Sequence, residues 1–263
     1  MTTTIQGGNR ASILNGGAGN DVIADYTEGK DKIKLSGTVI TKTEFDGDDV
    51  IFTTDNGTLT VKNSKSANIT VEGATTQIYT ENAIYNSKFT EMTLFDSASG
   101  TITADSKLKS IDATAATNAI KIIGNSQANT IIGGNNSVTI EGSTGNDSIL
   151  GGKGTDSLYG EKGNDTLTGG DGADVFVYSA GKDVITDFSA TEDSIELSAG
   201  TISSASVNGS DMVFKIGSGT LTVKNGKNTE FNFDDIIYYN DLIYDSEKTE
   251  VTFGKAFDGT LAA

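Results

Sequence analysis

Residues 142–177 read GSTGNDSIL, GGKGTDSLY, GEKGNDTLT and GGDGADVFV, four consecutive nine-residue blocks beginning at Gly142, Gly151, Gly160 and Gly169. Each block has Gly at position 1, Gly at position 4, Asp at position 6 and a large apolar residue at position 8. The apolar position outruns the four blocks: Ile131, Ile140, Ile149, Leu158, Leu167, Phe176 and Ile185 stand nine residues apart. One buried side chain per block, on a short strand that follows a turn, is the pattern of a solenoid whose units bury their apolar faces only against each other. Two blocks close one coil, so blocks n and n + 2 stack on the same edge at a spacing of about 4.8 Å. The earlier blocks GNSQANTII, from Gly124, and GGNNSVTIE, from Gly133, keep the apolar position but hold Asn129 and Val138 in place of Asp.

A second repeat is longer. GNDVIADYTEGKDKIKLSG from Gly19 parallels GKDVITDFSATEDSIELSAG from Gly181, and TLTVKN recurs at Thr58 and Thr220, both at an offset of 162. Gln77 to Ala104 pairs with Ile236 to Ala263 at an offset of 159. Within each copy the pattern is strand-like. Val50-Ile51-Phe52 and Leu59-Thr60-Val61 flank the turn signal Asp55-Asn56-Gly57. Met212 to Ile216 and Leu221-Thr222-Val223 flank Gly217-Ser218-Gly219 in the same way, so each copy is expected to hold a hairpin. No helical period stands out. The expected fold is all-β: a parallel β-roll flanked by two copies of a β-rich module, with a first module over 1–104, the central solenoid over 105–177 and a second module over 178–263. The stretch from Asp105 to Ile123 has no counterpart elsewhere in the chain.

Composition narrows the function. The chain has 263 residues, 32 Gly, no Pro and only 35% hydrophobic residues, poor material for a thick core. Its formal charge is −17, which argues against nucleic acid, whose binders carry a basic footprint, and against docking on anionic membranes. Cys and His are both absent, removing disulfides, thiolate metal sites and the usual general base. The N-terminus MTTTIQGG lacks the basic and apolar regions of a cleavable secretory signal. No apolar run approaches the roughly 18 residues of a membrane span.

The nine-residue pattern resembles the calcium-binding repeat of the RTX family of bacterial secreted proteins, and the segment GKDVITDFSATEDSIELS resembles one that follows the roll in that family. The resemblance implies several bound calcium ions and export without an N-terminal signal, through a type I exporter that reads the C-terminal end, here FDGTLAA. It therefore implies a secreted protein, extracellular or at the cell surface. The physics agrees with the metal. Calcium takes six to eight oxygens at about 2.3–2.6 Å, more than one turn offers, so an ion is expected between two stacked turns. The 18-residue rule pairs Asp147 with Asp165, Asp156 with Asp174, and Asp165 with Asp183. Carbonyls at Gly145, Gly154, Gly163 and Gly172 and their neighbours are candidates to complete the shells. Asp187 is a candidate to close the last site, and Asp21, in GGAGND from Gly16, to seed one in the first module. Without calcium the stacked carboxylates repel, and a thin interior does not offset the roughly 1–2 kcal/mol per residue of lost backbone freedom. The roll is expected to be disordered in the apo state and rigid with calcium.

No residues suggest an enzyme: no triad, thiol or zinc motif can be assembled, and the paired Asp residues are committed to periodic metal sites. Two readings remain. The ends look like cuts through a continuous array, because Gly7 to Gly17 resembles Gly124 to Gly134 at an offset of 117 and Ala263 aligns with Ala104. Open β edges favour pairing with another chain, which suggests a calcium-triggered extracellular structural protein that joins copies of itself head to tail into filaments or a surface layer. The alternative is a calcium-dependent adhesin or glycan-binding module of a larger RTX protein, acting on a cell surface through Tyr79, Tyr85, Tyr238, Tyr239 and Tyr244.

Overall fold

A computed structural model describes residues 2–7, 12–16, 18–35, 40–72, 77–233, 236–239, 242–245 and 251–253. The described residues form strands and turns without a helix, as the sequence pattern predicts. They fall into two compact units, Met1–Ala98 and Ser99–Ala263.

The second unit holds the roll. One parallel ladder stacks Ser110–Asp112, Thr130–Ile132, Ser148–Lys153, Thr166–Asp171, Lys182–Ile185 and Gly219–Val223. The other stacks Gly100–Thr103, Ile120–Ile123, Val138–Glu141, Ser157–Tyr159, Val175–Tyr178 and Ser194–Leu197. The register follows the 18-residue coil: Ile131 lies against Ile149, Ile149 against Leu167 and Leu167 against Ile185, while Ile140 lies against Leu158 and Leu158 against Phe176. All seven apolar residues of the sequence register are buried. They form the narrow interior that one apolar position per block allows.

Two departures from strict periodicity appear. Phe176 lies against Ile195, 19 residues on, because one extra residue sits in the turn before Ser194. Upstream, Ile111 lies against Ile131 and Ile102 against Ile122, so the coil that contains Asp105 to Ile123 is 20 residues long. It buries Leu108, Ala113 and Ala116 without glycine-rich turns. The motif is absent there, yet the solenoid continues, because parallel pairing needs the apolar register and not the Gly–Asp turn.

Both expected hairpins form and are built alike in the two modules, which differ at the next strand: Ile69–Glu72 lies parallel to Lys32–Leu35, whereas among the described residues Glu230–Phe233 pairs only with Ile236–Tyr239. In the first unit, Ile40–Asp46, Asp49–Thr54 and Gly57–Val61 run antiparallel, and the last lies parallel to Gly19–Ile23. In the second unit, Ile202–Asn208, Asp211–Ile216 and Gly219–Val223 repeat this arrangement, and the last lies parallel to Lys182–Ile185. The corner after each hairpin is held in the same way. Lys62 Nζ bonds Asp49 at 2.5 Å while the Asn63 amide donates to the same carboxylate; Lys224, Asp211 and Asn225 form the equivalent set. Each module ends in an antiparallel meander. In the first, Gln77–Tyr79, Ala83–Asn86 and Glu91–Leu94 follow Ile69–Glu72; in the second, Ile236–Tyr239, Leu242–Asp245 and Val251–Phe253 follow Glu230–Phe233.

Position 4 of the repeat shows why glycine is required. Gly145 and Gly163 have φ of 140° and 149°, which side chains rarely adopt. The Gly145 carbonyl points at the place where a Cβ on Gly163 would stand. Gly209, by contrast, has φ of 67° in a hairpin turn with open space around it. Gly163→Ala is therefore expected to disrupt coil stacking, while Gly209→Ala should cost only the left-handed strain of about 1–2 kcal/mol. Thermal unfolding in saturating calcium measures both; equal losses would contradict this account.

Candidate metal centre

Each turn delivers its Asp to the edge of a ladder, just before the strand that carries the buried position-8 residue. The result is two columns of carboxylates. In the first, the Asn129 amide donates to Asp147 Oδ1 at 2.7 Å, the Asp147 amide to Asp165 Oδ1 at 2.8 Å and the Asp165 amide to Asp183 Oδ1 at 3.0 Å. In the second, the Val138 amide donates to Asp156 Oδ1 at 2.8 Å, and the Asp156 amide to Asp174 Oδ1 at 2.9 Å. All five Asp residues are buried. The pairs anticipated from the 18-residue coil are thus brought together, one oxygen of each carboxylate binding the turn stacked on it.

The other oxygen decides the chemistry. Asp147, Asp156, Asp165 and Asp174 each hold Oδ2 buried with no hydrogen-bond partner. A buried carboxylate oxygen left unpaired is costly. Burial pushes the carboxyls of Asp147 and Asp156 up to about 6, and the charges of Asp165 and Asp174 add to this. Asp183 rises to about 7 for the same reasons, burial first and the Asp165 charge second. Burial also raises Asp165 and Asp174; around Asp174 the charges of Asp193, Asp187 and Glu192 contribute. Four orphaned, dehydrated oxygens at regular spacing fit a hard cation, which would stabilise the ionised form. Position 1 is glycine to make room for them. A Cβ on Gly142 would lie 2.6 Å from Asp147 Oδ2, and one on Gly160 would lie 2.6 Å from Asp165 Oδ2. Among the described residues no three acidic side chains converge on one point. Main-chain carbonyls of the turns, at Gly145, Gly154, Gly163, Gly172 and their neighbours, are the candidates to complete a shell.

Asp187 has a different setting. Its two oxygens accept the amides of Gly169 and Gly170, each at 2.9 Å, at an exposed corner. Asp21 is buried, and its Oδ1 accepts the Thr3 amide at 3.2 Å, which repeats the contact that Asp156 makes with Val138. The structure also identifies residues that the spacing did not. Asp193 continues the second column: its Oδ1 accepts the Asp174 amide and its Oδ2 the Ser189 amide, at 2.9 and 2.8 Å. Asp31, its counterpart 162 residues earlier, accepts the Ser12 and Thr27 amides. The 19-residue coil hid both, although Asp193-Ser194-Ile195 repeats Asp147-Ser148-Ile149 in order. Asn129 shows the metal-free solution. Its Oδ1 accepts the Asn125 amide, and its Nδ2 donates to the Leu108 carbonyl at 2.9 Å. An amide group supplies there the donor that a carboxylate lacks.

One tyrosine of each copy is part of its core. Tyr79 is 3% exposed and packs edge-on to Phe52, with ring centroids 4.8 Å apart. Tyr238, 5% exposed, packs edge-on to Phe214 at 5.6 Å. Tyr85 and Tyr239 are half-buried, and the side chain of Tyr244 lies outside the described residues, as does the FDGTLAA terminus.

The RTX calcium-binding nonapeptide repeat family matches residues 2–24, 123–158 and 150–185, in four copies. The chain carries RTX repeats. The matched stretches contain Asp21 and all five Asp residues of the two columns, so the RTX coils are the calcium-binding part of the molecule. No curated protein matches the chain. Among solved structures, the extracellular lipase LipA from Serratia marcescens is similar at 17% identity and a TM-score of 0.29, over 86% of this chain and 38% of that one.

Two outcomes are expected. Asp165→Asn, which copies the natural solution at Asn129, should bind at least one calcium ion fewer than the wild type by isothermal titration. Asp187→Asn should leave the stoichiometry unchanged. The second outcome concerns pH. The RTX carboxyls titrate higher when folded than the value of about 3.9 for an unfolded Asp, so the metal-free fold holds protons that the unfolded chain has released. Its stability is therefore greatest at acid pH and lost as pH rises through about 6 to 7. Circular dichroism in chelator should show more β signal at pH 5 than at pH 7.5. In saturating calcium the order should reverse, because protons compete with the ion.

Proposed function

We propose that this RTX protein is a calcium-folded extracellular structural protein, without catalytic activity, that joins head to tail into filaments or a surface layer. The orphaned Oδ2 atoms of Asp147, Asp156, Asp165 and Asp174 carry the calcium part of this reading. They leave the roll with an electrostatic deficit that millimolar calcium outside a cell would remove. Extracellular modules typically bind calcium at about 10⁻⁴–10⁻³ M, so a calcium-poor cytosol would leave the roll unfolded and suited to export. Support for assembly comes from the sheets, whose outermost strands among the described residues include Thr2–Ile5 and Ile13–Gly16. An outer strand offers unpaired main-chain groups to another chain, and a contact between unlike ends that does not close yields a filament. The internal packing of Tyr79 and Tyr238 takes two of the five tyrosines of the adhesin reading out of contact with a ligand.

Negative-stain electron microscopy and light scattering of purified protein are the direct test. Filaments or sheets are expected on adding millimolar calcium, and their dispersal on adding chelator. Monomers alone at high protein and calcium concentration would overturn the assembly reading and leave calcium binding intact.

A further inference from the structure

Among the described residues, Thr2–Ile5 and Ile13–Gly16 are outer strands of the first unit, each paired on one side, with Gly19–Ile23 and Lys32–Leu35. The same coil occurs inside the second unit. Gly7 to Gly17 corresponds to Gly124 to Gly134 at an offset of 117, and the registers agree. Thr3 opposite Asp21 and Ile5 opposite Ile23 match Ile120 opposite Val138 and Ile122 opposite Ile140. In the second unit this coil is not outermost. Gly100–Thr103 runs parallel to Ile120–Ile123, with Gly100 opposite Ile120, Thr101 opposite Lys121 and Ile102 opposite Ile122. Ile122 is fully buried under that cover, whereas its counterpart Ile5 is only partly buried. Nearby, Ile13 on the second outer strand is a large apolar side chain left 60% exposed. The covering strand also has a counterpart in sequence: residues 259–263, GTLAA, match Gly100 to Ala104, GTITA, at the offset of 159.

We propose that Thr2–Ile5 is a docking strand for a second copy of this chain, whose residues 259–262 add to it in parallel, with Gly259 opposite Thr3, Thr260 opposite Thr4 and Leu261 opposite Ile5. This deepens the head-to-tail reading and rests on it. The occupant follows from the internal precedent: the corresponding coil within the chain is covered by the corresponding sequence, GTITA, in the register that the proposal carries over to GTLAA. Strand addition supplies main-chain hydrogen bonds, and alternate side chains give register. Here Leu261 supplies the apolar cover that Ile102 gives Ile122. The Thr3 amide donates to Asp21 Oδ1, so the docking strand is anchored to a carboxylate of the first module.

Because the chain has no Cys, a Thr4→Cys, Thr260→Cys double variant tests the register directly. Thr4 is exposed, and residues opposite one another on adjacent strands lie within reach of a disulfide. Under mild oxidation with calcium, the double variant should give a ladder of covalent multimers in denaturing gels. Each single variant should stop at dimers, and Thr3→Cys, Thr260→Cys should give no ladder. Deleting residues 259–263 should abolish filaments while leaving the calcium-induced circular dichroism change intact. If the double variant gives no ladder, or the truncation still polymerises, while wild-type filaments persist, this interface is overturned and the head-to-tail reading stands. If the wild type forms no filaments, the reading itself falls.

Discussion

The structure turns on a carboxylate with two unlike oxygens. In each coil, Asp at position 6 uses Oδ1 to hold the amide of the coil stacked above it and keeps Oδ2 buried without a partner. The first oxygen ties each coil to the next within the 18-residue stack. The second makes that stack unfavourable while the site lacks a counter-charge, since burial raises the carboxyls of Asp147, Asp156 and Asp183 toward neutrality. Stacking and metal binding are thus coupled through a single side chain. The rest of the repeat serves it: glycine at position 1 makes room for Oδ2, and glycine at position 4 lets successive turns approach.

The roll is not uniform along its length. At one end the Asp ladder gives way to Asn129 and Val138, and beyond them to a coil that packs Leu108, Ile111, Ala113 and Ala116. There the donor to Leu108 O is an amide of Asn129, and no charge has to be neutralised. At the other end the columns finish on Asp183, whose strand neighbour is Leu221, and on Asp193, whose two oxygens both accept main-chain amides. Carboxylates that demand a cation are confined to the middle, between a coil satisfied by an amide and a turn satisfied by the backbone.

The two modules show which contacts are reused. The Asp49–Lys62–Asn63 corner reappears as Asp211–Lys224–Asn225, and the Phe52–Tyr79 pair as Phe214–Tyr238. These corners are exposed ion pairs, worth little on their own. Their value is geometric: they turn the chain from the hairpin toward the meander, so that an aromatic pair closes each small core.

Much of this was legible in the sequence, because a solenoid is a local repeat. The period of nine determined the coil, the buried register from Ile131 to Ile185 and the stacking of Asp147, Asp156, Asp165, Asp174 and Asp183, since a strand fixed to its neighbour leaves little freedom to the next. Offsets of 162 and 159 showed two copies of one module, and the turn signals Asp55-Asn56-Gly57 and Gly217-Ser218-Gly219 placed a hairpin in each, whereas the meanders were not read from the sequence. What lacked a period could be decided only by the tertiary structure. The coil from Asp105 to Ile123 forms because neighbouring strands offer hydrogen bonds and apolar cover to any sequence that matches their spacing. Asp193 and Asp31 enter their sites through a 19-residue coil that breaks the register. Asp187 binds the amides of Gly169 and Gly170, and Tyr79 and Tyr238 turn inward, because long-range packing, not motif, assigns partners to side chains outside the repeat.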